Sequence, residues 1–196
     1  MRPLTVTLVL AVLAWLGNAG CGSEETAGPT APAAEVVGEA PARTLAAGRA
    51  TVTGAGKAVV SQGTLDLVTG EADLEVEGEG EAQPWLTDPI LAIDAVAGAV
   101  NIRSYGGVQV QEASVFRYEV DIDPARALAA VPASRRHRLA AALPEEPFFA
   151  DVFVDAAGRI RRVLLPLDLS EPRPMGDEKR VPAALTVDFH DFPEED

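Results

Sequence analysis

Residues 63–81 read GTLDLVTGEADLEVEGEGE, in which apolar and acidic side chains alternate around Thr69-Gly70. Because successive side chains of a strand point to opposite faces, this stretch predicts a β-hairpin with Thr69-Gly70 as a two-residue turn. Leu65 would then face Leu74 across the hairpin. One face would carry the apolar residues Leu65, Leu67, Ala72, Leu74 and Val76, and the other the acidic residues Glu71, Asp73, Glu75, Glu77, Glu79 and Glu81.

The acidic face of this hairpin raises the question of a calcium site. Alternate carboxylates on one strand are about 6.6–6.8 Å apart, whereas Ca²⁺ takes about six to eight oxygens at roughly 2.3–2.6 Å. We therefore interpret the face as a solvated strand surface that resists aggregation. We expect the protein to hold no metal and no cofactor.

Apolar and polar residues alternate elsewhere too and predict further antiparallel strands. Gly106-Gly107 should separate two of them, and Asp155 to Gly158 should form a turn with glycine at a positive φ. In the last strand, Leu185, Val187 and Phe189 share one face. The predicted strands are Ala46–Thr53, Lys57–Val68, Val100–Tyr105, Val108–Gln111, Val115–Asp123, Phe148–Asp155, Arg159–Leu169 and Ala183–Asp191.

Two Asp-Pro pairs predict helix N-termini, with Asp as the N-cap and Pro at the first helical position. Asp88-Pro89 leads into residues 90–97, which are mostly apolar and should form a buried helix. Asp123-Pro124 leads into a helix over residues 125–131, which Pro132 interrupts, and a second helix follows over residues 133–143.

The helix over residues 133–143 carries a basic cluster, Arg135, Arg136, His137 and Arg138. We expect Leu128, Leu139 and Leu143 to face the core and the basic cluster to face mostly water. The alternative for the cluster is contact with an anionic headgroup or with a protein partner.

The first 21 residues have the features of a bacterial secretory leader. Arg2 precedes an apolar run, Leu4 to Leu16, that is shorter than the ~20 residues needed to span a bilayer. Ala19-Gly20-Cys21 is similar to the lipobox of bacterial lipoproteins, in which the cysteine receives acyl chains such as palmitate. Cys21 is thus the predicted lipidation site, and it would hold the chain on the extracytoplasmic face of the cell membrane. An ordinary secreted protein and an uncleaved leader remain alternatives.

Composition sets the remaining domain boundaries. Residues 22–42 are rich in Pro, Ala, Gly and Glu and predict a disordered tether, which leaves one domain at residues 43–193.

The chain of 196 residues has a net charge of −14, and loss of Arg2 with the leader leaves −15. Such a charge argues against nucleic acid as a partner. With one cysteine there is no internal disulfide, so packing must stabilise the fold.

No catalytic motif is present. The sequence has no Gly-x-Ser-x-Gly elbow, no phosphate-binding glycine loop and no His-Glu-x-x-His pair. His137 lies among arginines, and His190 on its strand shares a face with Asp188 but not with Asp191. We expect both histidines to be structural and the protein not to be an enzyme, although a carboxylate pair for glycoside chemistry stays open.

From about Gly63 to Phe192 the order of motifs resembles the LppX/LprG-type lipoproteins of actinobacteria, and the Ala, Arg, Pro and Val content is typical of such organisms. The motifs that carry the resemblance are GTLDLVTG at 63–70, the Asp88-Pro89 helix, YEVDID at 118–123 running into residues 125–143, DVFVDAAGRIRRV at 151–163 and LTVDF at 185–189.

This resemblance implies an α+β fold, a curved antiparallel β half-barrel with helices packed on its concave face, distantly like the periplasmic lipoprotein carriers. It also implies a non-enzymatic protein of the cell envelope whose apolar cavity holds acyl chains of a glycolipid or acylglycerol during transport. One difference stands out. Between Val76 and Trp85 this chain lacks room for a further apolar hairpin found in the family, so we expect a smaller sheet and a shallower cavity.

Two functions follow from these observations. The first is a membrane-anchored lipoprotein that binds or carries a lipid or other hydrophobic ligand. Its expected cavity-lining residues are Leu65, Leu67, Leu74, Val96, Leu128, Leu139, Val154 and Val187. The alternative is a surface lipoprotein with a solid core that contacts an unknown protein partner through its acidic hairpin or its basic cluster.

Overall fold

The computed structural model describes residues 30–79, 83–166 and 184–193. The predicted leader with Cys21, the loop at Pro172 and Pro174, and the acidic tail from Glu194 lie outside the described residues. The helices are α1 (Ala33–Ala46), α2 (Pro84–Thr87), α3 (Ile90–Val96), α4 (Pro124–Ala130) and α5 (Ala133–Ala142). The strands are β1 (Arg49–Ala55), β2 (Val59–Asp66), β3 (Ala72–Gly78), β4 (Ala99–Val110), β5 (Ala113–Ile122), β6 (Phe148–Asp155), β7 (Ile160–Pro166) and β8 (Ala184–His190).

All eight strands form one antiparallel sheet in the order β3-β2-β1-β8-β7-β6-β5-β4. The first and last strands are neighbours in its middle, and β3 and β4 form its two edges. The chain must therefore cross the whole sheet between β3 and β4, and it carries α2 and α3 on the way. The predicted fold class, a curved antiparallel sheet with helices on its concave face, is confirmed.

One face of the sheet, called here the inner face, is apolar and covered by the helices. α1 contacts β4, β6 and β7, whereas α2 contacts β1, β2 and β3. Fully burying a Val, Leu, Ile or Phe side chain contributes roughly 1.5–3 kcal/mol, so this layer contact dominates the stability. Its most buried members include Ala50, Val52, Val120, Ile122, Val152, Val154, Val163, Leu165, Leu185, Val187 and Phe189.

The predicted register of the β2–β3 hairpin is wrong by two residues. Leu65 pairs with Ala72 rather than with Leu74. The cause is the Asp66 carboxylate, which accepts hydrogen bonds from the N–H groups of Val68 (2.9 Å) and Thr69 (2.8 Å) and widens the turn. These bonds also hold the pKa of Asp66 below its ordinary value. A shift of two keeps every side chain on its predicted face.

β3 is nevertheless poorly covered, because it forms the sheet edge. Leu65 and Leu67 are buried, whereas Leu74 is half-buried and Val76 is 42% exposed. The apolar side of the hairpin is thus shielded from water along β2 and only partly along β3. The acids Glu71, Asp73, Glu75, Glu77 and Glu79 are all exposed, as predicted for the described part of this face.

The disordered tether predicted for residues 22–42 is wrong over its last ten residues, which belong to α1. Val37, Ala40, Pro41 and Thr44 of this helix are buried. A composition rich in Pro, Ala, Gly and Glu favours disorder in an isolated segment. The same small side chains, however, allow a helix backbone to lie close to a sheet. The globular part therefore includes residues from Ala33 onward and not only those from residue 43.

α3 is buried at every residue, as predicted, including the charged Asp94. The Asp94 carboxylate accepts hydrogen bonds from both Nε (2.9 Å) and Nη2 (3.0 Å) of Arg135 on α5. Burial nevertheless raises the pKa of Asp94 above its ordinary value. Asp88 does not cap α3 as predicted, because Pro89 occupies the N-cap position and the Asp88 side chain instead accepts from Arg138 (2.8 Å).

Arg136, His137 and Arg138 of the basic cluster are exposed, as predicted, whereas Arg135 is buried, and all three arginines bind groups within the fold. Arg135 is buried against Asp94, and Arg138 binds Asp88. Arg136 donates to the backbone carbonyls of Leu128 (2.9 Å) and Val131 (3.3 Å). A sequence pattern shows which residues share a helix face but not that Asp88 and Asp94 lie opposite this one. Leu139 is buried as predicted, whereas Leu128 and Leu143 are half-buried.

The predicted cap at Asp123 and the predicted turn at Gly158 are confirmed, whereas the predicted strand break at Gly106-Gly107 is wrong. Asp123 caps α4 as predicted by accepting from Arg126 N–H (3.1 Å), and Gly158 has the predicted positive φ of 80°. Gly106-Gly107 does not separate two strands. β4 runs through it as one edge strand of 12 residues, with an irregularity between Ser104 and Gly106 where Gly106 takes a φ of 89°.

Thr44 offers a test of how α1 is attached to the sheet. Its hydroxyl donates to Ala40 O (2.6 Å) and accepts from the Ile160 N–H (2.8 Å) in a buried position. Thr44→Val keeps the shape but leaves the Ile160 N–H without its acceptor, so we expect a loss of about 1–3 kcal/mol in unfolding free energy by urea denaturation. Thr44→Ser, which keeps the hydroxyl, should lose no more than about 1 kcal/mol. Equal losses in the two variants would contradict this role.

The Asp94–Arg135 pair offers a second test. Asp94→Asn should cost about 3–5 kcal/mol of unfolding free energy, because it leaves a buried guanidinium without a counter-charge. The double variant Asp94→Leu with Arg135→Met should recover most of that loss, since two apolar side chains need no partner. Urea denaturation of Asp94→Leu, of Arg135→Met and of the double variant gives the coupling energy. Additive losses would show that the two side chains do not act as a buried pair.

Candidate functional site

The interior between the inner face and the helices is the place where the sequence predicts a ligand. Six of the eight expected lining residues are buried in one apolar cluster there, and Leu128 packs against it half-buried. Leu74 lies at the exposed β3 edge instead. The six are Leu65, Leu67, Val96, Leu139, Val154 and Val187. That they line a ligand cavity stays a prediction.

α1 covers the half of the interior formed by β4 to β7. It contacts β4, β6 and β7, and β5 lies between the first two of these strands in the sheet. Its buried side chains are small, and its helix contains Gly38 and Pro41, which weaken helical structure relative to Ala. α1 is thus attached to the sheet mainly by apolar contact, with Thr44 as a polar tie at its C-terminal end.

Tyr118 on β5 places a phenol hydroxyl within this apolar inner face. It alternates with Phe116 and Val120 along β5 and is paired with Val152 of β6. The residue is 1% exposed, and its hydroxyl has no hydrogen-bond partner. Burial raises the pKa of Tyr118, so the phenol keeps its proton at neutral pH. The apolar alternation of residues 115–122 could have placed this tyrosine inside, but the sequence does not show that its hydroxyl lacks a partner.

A second buried hydroxyl without a partner, that of Ser61 on β2, lies in the other half of the interior. It faces Gly54 of β1, where a Cβ would come within 2.5 Å of the Ser61 oxygen and 2.6 Å of Leu86 on α2. Ser61 is therefore enclosed by the contact between β1 and α2. The missing side chain at Gly54 is what lets Leu86 pack down onto the sheet.

The opposite, outer face of the sheet is polar and held by ion pairs across strands. Arg117 on β5 binds Asp151 on β6 (3.0 Å), and Arg162 on β7 binds Asp188 on β8 (2.8 Å). Arg103 on the β4 edge lies near Glu119 (3.7 Å). A small apolar cluster of Val110, Val115 and Phe153 lies between these pairs. These ion pairs and apolar contacts join neighbouring strands and so stabilise the sheet.

Two surface pockets lie beside the acidic hairpin. One of about 320 Å³ is lined by residues of β1, β2, β3 and β8, among them Val60, Glu75 and Glu77. Another, of about 790 Å³, lies at the β2–β3 turn, where Asp66, Asp88 and Arg138 line it. Both are polar and open, so they do not suit an acyl chain.

His190 differs from its predicted arrangement. Its Nδ1 lies 2.9 Å from the Asp191 carboxylate, although strand alternation placed the two side chains on opposite faces. β8 ends at His190, and Asp191 takes a φ of 50°, which turns its side chain back. The hydrogen bond lowers the pKa of Asp191. Within the described ranges, no three His, Cys, Asp or Glu side chains are grouped to hold a metal ion.

The length and composition of the helices bear on whether the chain crosses a membrane. In the described part of the chain none combines the length and apolar character that crossing a bilayer requires. The predicted anchor, Cys21, lies outside that part.

No protein-family model and no curated protein matches the chain. Solved structures of two lipoproteins are similar to it. The Mycobacterium tuberculosis lipoprotein LppX aligns over 83% of this chain and 97% of its own at 10% identity, with a TM-score of 0.44. LprF from Mycobacterium bovis aligns over 83% of this chain and 96% of its own at 9% identity, with a TM-score of 0.46.

Proposed function

We propose that this protein is an exported envelope lipoprotein, anchored through acyl chains on Cys21, that holds a lipid or other hydrophobic ligand between its sheet and its helices. The observation that carries the proposal is the nature of the layer contact. A sheet with a continuous apolar inner face is covered by short separate helices, and the longest of them, α1, meets it through small side chains.

Such a contact can be exchanged for a ligand at low cost. An acyl chain that replaces α1 on the inner face substitutes one apolar contact for another, so the free energy of burying the sheet is largely retained. α5 is tied to α3 by charged hydrogen bonds, which an acyl chain cannot replace. We therefore propose that ligand enters on the α1 side, over β4 to β7.

The surface charge suits a domain that stays in solution beside the membrane. The exposed acids of β3 and the net charge of −14 repel anionic headgroups. Residues between Cys21 and α1 would let the domain stand off the bilayer. No catalytic role is proposed, because the ionised side chains buried in the interior, Asp94 and Arg135, bind each other.

The alternative of a solid-core interaction protein retains one of its two proposed contact surfaces. Arg135, Arg136 and Arg138 form hydrogen bonds within the fold, so the basic cluster is not retained as a proposed contact surface. The exposed acids of β3 remain available for a partner. Whether the purified protein contains a bound lipid distinguishes this alternative from the carrier.

Ligand content can be measured on the full chain purified from envelopes of an actinobacterial host. We expect organic extraction followed by mass spectrometry to recover a lipid in roughly stoichiometric amount, because the apolar layer contact selects acyl chains. An exposed-surface variant, Glu75→Gln, should carry the same lipid and serves as the control for nonspecific association. Protein recovered empty in repeated preparations, with no uptake of fluorescent fatty esters, would exclude the carrier and favour the interaction protein.

The anchor is tested separately. Replacing Cys21 with Ala should abolish the acyl modification and shift the protein from the membrane to the soluble fraction or leave it as an uncleaved precursor. Two or more acyl chains contribute about 0.8 kcal/mol per buried methylene, so the wild-type protein should resist extraction by salt and alkaline buffer. The intact mass of the N-terminal peptide is the measurement. An unmodified Cys21 in the mature protein would refute the anchor without affecting ligand binding.

A further inference from the structure

We infer that Tyr118 is a ligand-binding residue whose hydroxyl donates a hydrogen bond to a carbonyl oxygen of an uncharged, ester-bearing lipid. The inference rests on the proposed function, since it places the lipid between the inner face and α1. It adds a specific polar contact to a site that otherwise recognises its ligand by apolar contact.

The first reason is the unmet hydrogen-bonding capacity of the hydroxyl. Leaving a buried donor without a partner is costly, and buried polar groups in proteins are almost always paired. Tyr118 is 1% exposed, yet its hydroxyl has no partner, whereas the other tyrosine, Tyr105, is 53% exposed and its hydroxyl lies 3.5 Å from Glu119. A phenylalanine would fill the same apolar position without this cost.

The second reason is the position of Tyr118 in the interior. It lies on the inner face of β5 between Phe116 and Val120, and the two strands that flank β5, β4 and β6, both contact α1. A lipid that displaces α1 from β4 to β7 would lie over this ring. Its acyl chains would contact the apolar neighbours, and its polar junction would meet the one hydroxyl that projects from β5 in this face.

The third reason concerns the charge of the ligand. The raised pKa keeps Tyr118 protonated, so it can donate to an oxygen acceptor. A free carboxylate would introduce an unpaired buried charge, which is far more costly than a neutral carbonyl. Arg135 is the buried cation of the described interior, and it is already held by Asp94 through two hydrogen bonds. The chemistry therefore favours an ester over a fatty acid.

The test compares three probes of matched chain length, methyl palmitate, heptadecane and palmitate, by displacement of a fluorescent lipid from the full chain. Wild-type protein should bind the ester about two- to tenfold more tightly than the alkane, the range expected for one net hydrogen bond. It should bind palmitate more weakly than the ester. Tyr118→Phe should lose the preference for the ester over the alkane while its affinity for heptadecane is unchanged.

Tyr105→Phe is the matched control, because it removes a phenol hydroxyl from the outer side of the sheet, and it should keep the wild-type preference. Thermal unfolding of ligand-free Tyr118→Phe should show stability equal to or above that of the wild type, since an unpaired buried hydroxyl is removed. As a measurement that needs no variant, the infrared carbonyl band of ¹³C-labelled methyl palmitate bound to wild type should lie at the frequency of a hydrogen-bonded ester.

The outcomes separate the two proposals. If wild-type protein binds neither the ester nor the alkane, the carrier function and the role of Tyr118 both fail. If it binds both without preference, if Tyr118→Phe keeps the preference, or if the bound carbonyl shows no hydrogen bond, the role of Tyr118 is overturned while the carrier function stands. Equal loss of affinity for all three probes in Tyr118→Phe would indicate a purely structural residue and also overturn it.

Discussion

The apolar inner face of the sheet has to be kept out of water, and this requirement places the helices of the described fold. β3 and β4 are consecutive in the chain but lie at opposite edges of the sheet. The connection between them must pass over the sheet, and passing over the inner face buries both the sheet and the fully apolar side of α3 at once. Burial of this kind has no preferred direction, so it accounts for coverage but not for the exact position of each helix.

Specific polar contacts supply that position. Arg135 holds α5 against Asp94 of α3, and Arg138 holds it against Asp88 at the end of α2. Thr44 joins α1 to β7, and Asp123 caps α4. Cation–π contacts of Arg159 and Arg161 with Phe192 add to the ties around the β6–β7 turn. An acidic protein thus uses many of its arginines inside its own fold, which leaves the exposed surface dominated by carboxylates. That surface favours solubility and disfavours contact with anionic partners.

The attachment of α5 to α3 and the attachment of α1 to the sheet differ in chemistry. α5 is held by a buried ion pair whose disruption would leave unpaired charges. α1 is held mainly by small apolar side chains, and Tyr118, whose hydroxyl has no partner, lies on the same half of the sheet. This contrast is the reason for proposing the ligand site on the α1 side.

Alternation of apolar and polar residues was sufficient to predict most of the strands and their faces, because a period of two is a local property of the chain. It failed at Gly106-Gly107, through which β4 continues as one strand. The Asp-Pro pairs and the apolar run at residues 90–97 predicted α3 and α4 for the same reason. The sequence did not predict α1, since its small residues and proline resemble a linker until a sheet lies beneath them. Nor did it predict the pairing of Asp94 with Arg135, the two-residue shift at Asp66 or the unpaired hydroxyl of Tyr118. The shift at Asp66 arises within its own turn, where two local hydrogen bonds favour a longer turn. The ion pair and the unpaired hydroxyl depend on which groups meet across elements distant in the chain, and only the tertiary structure brings those groups together.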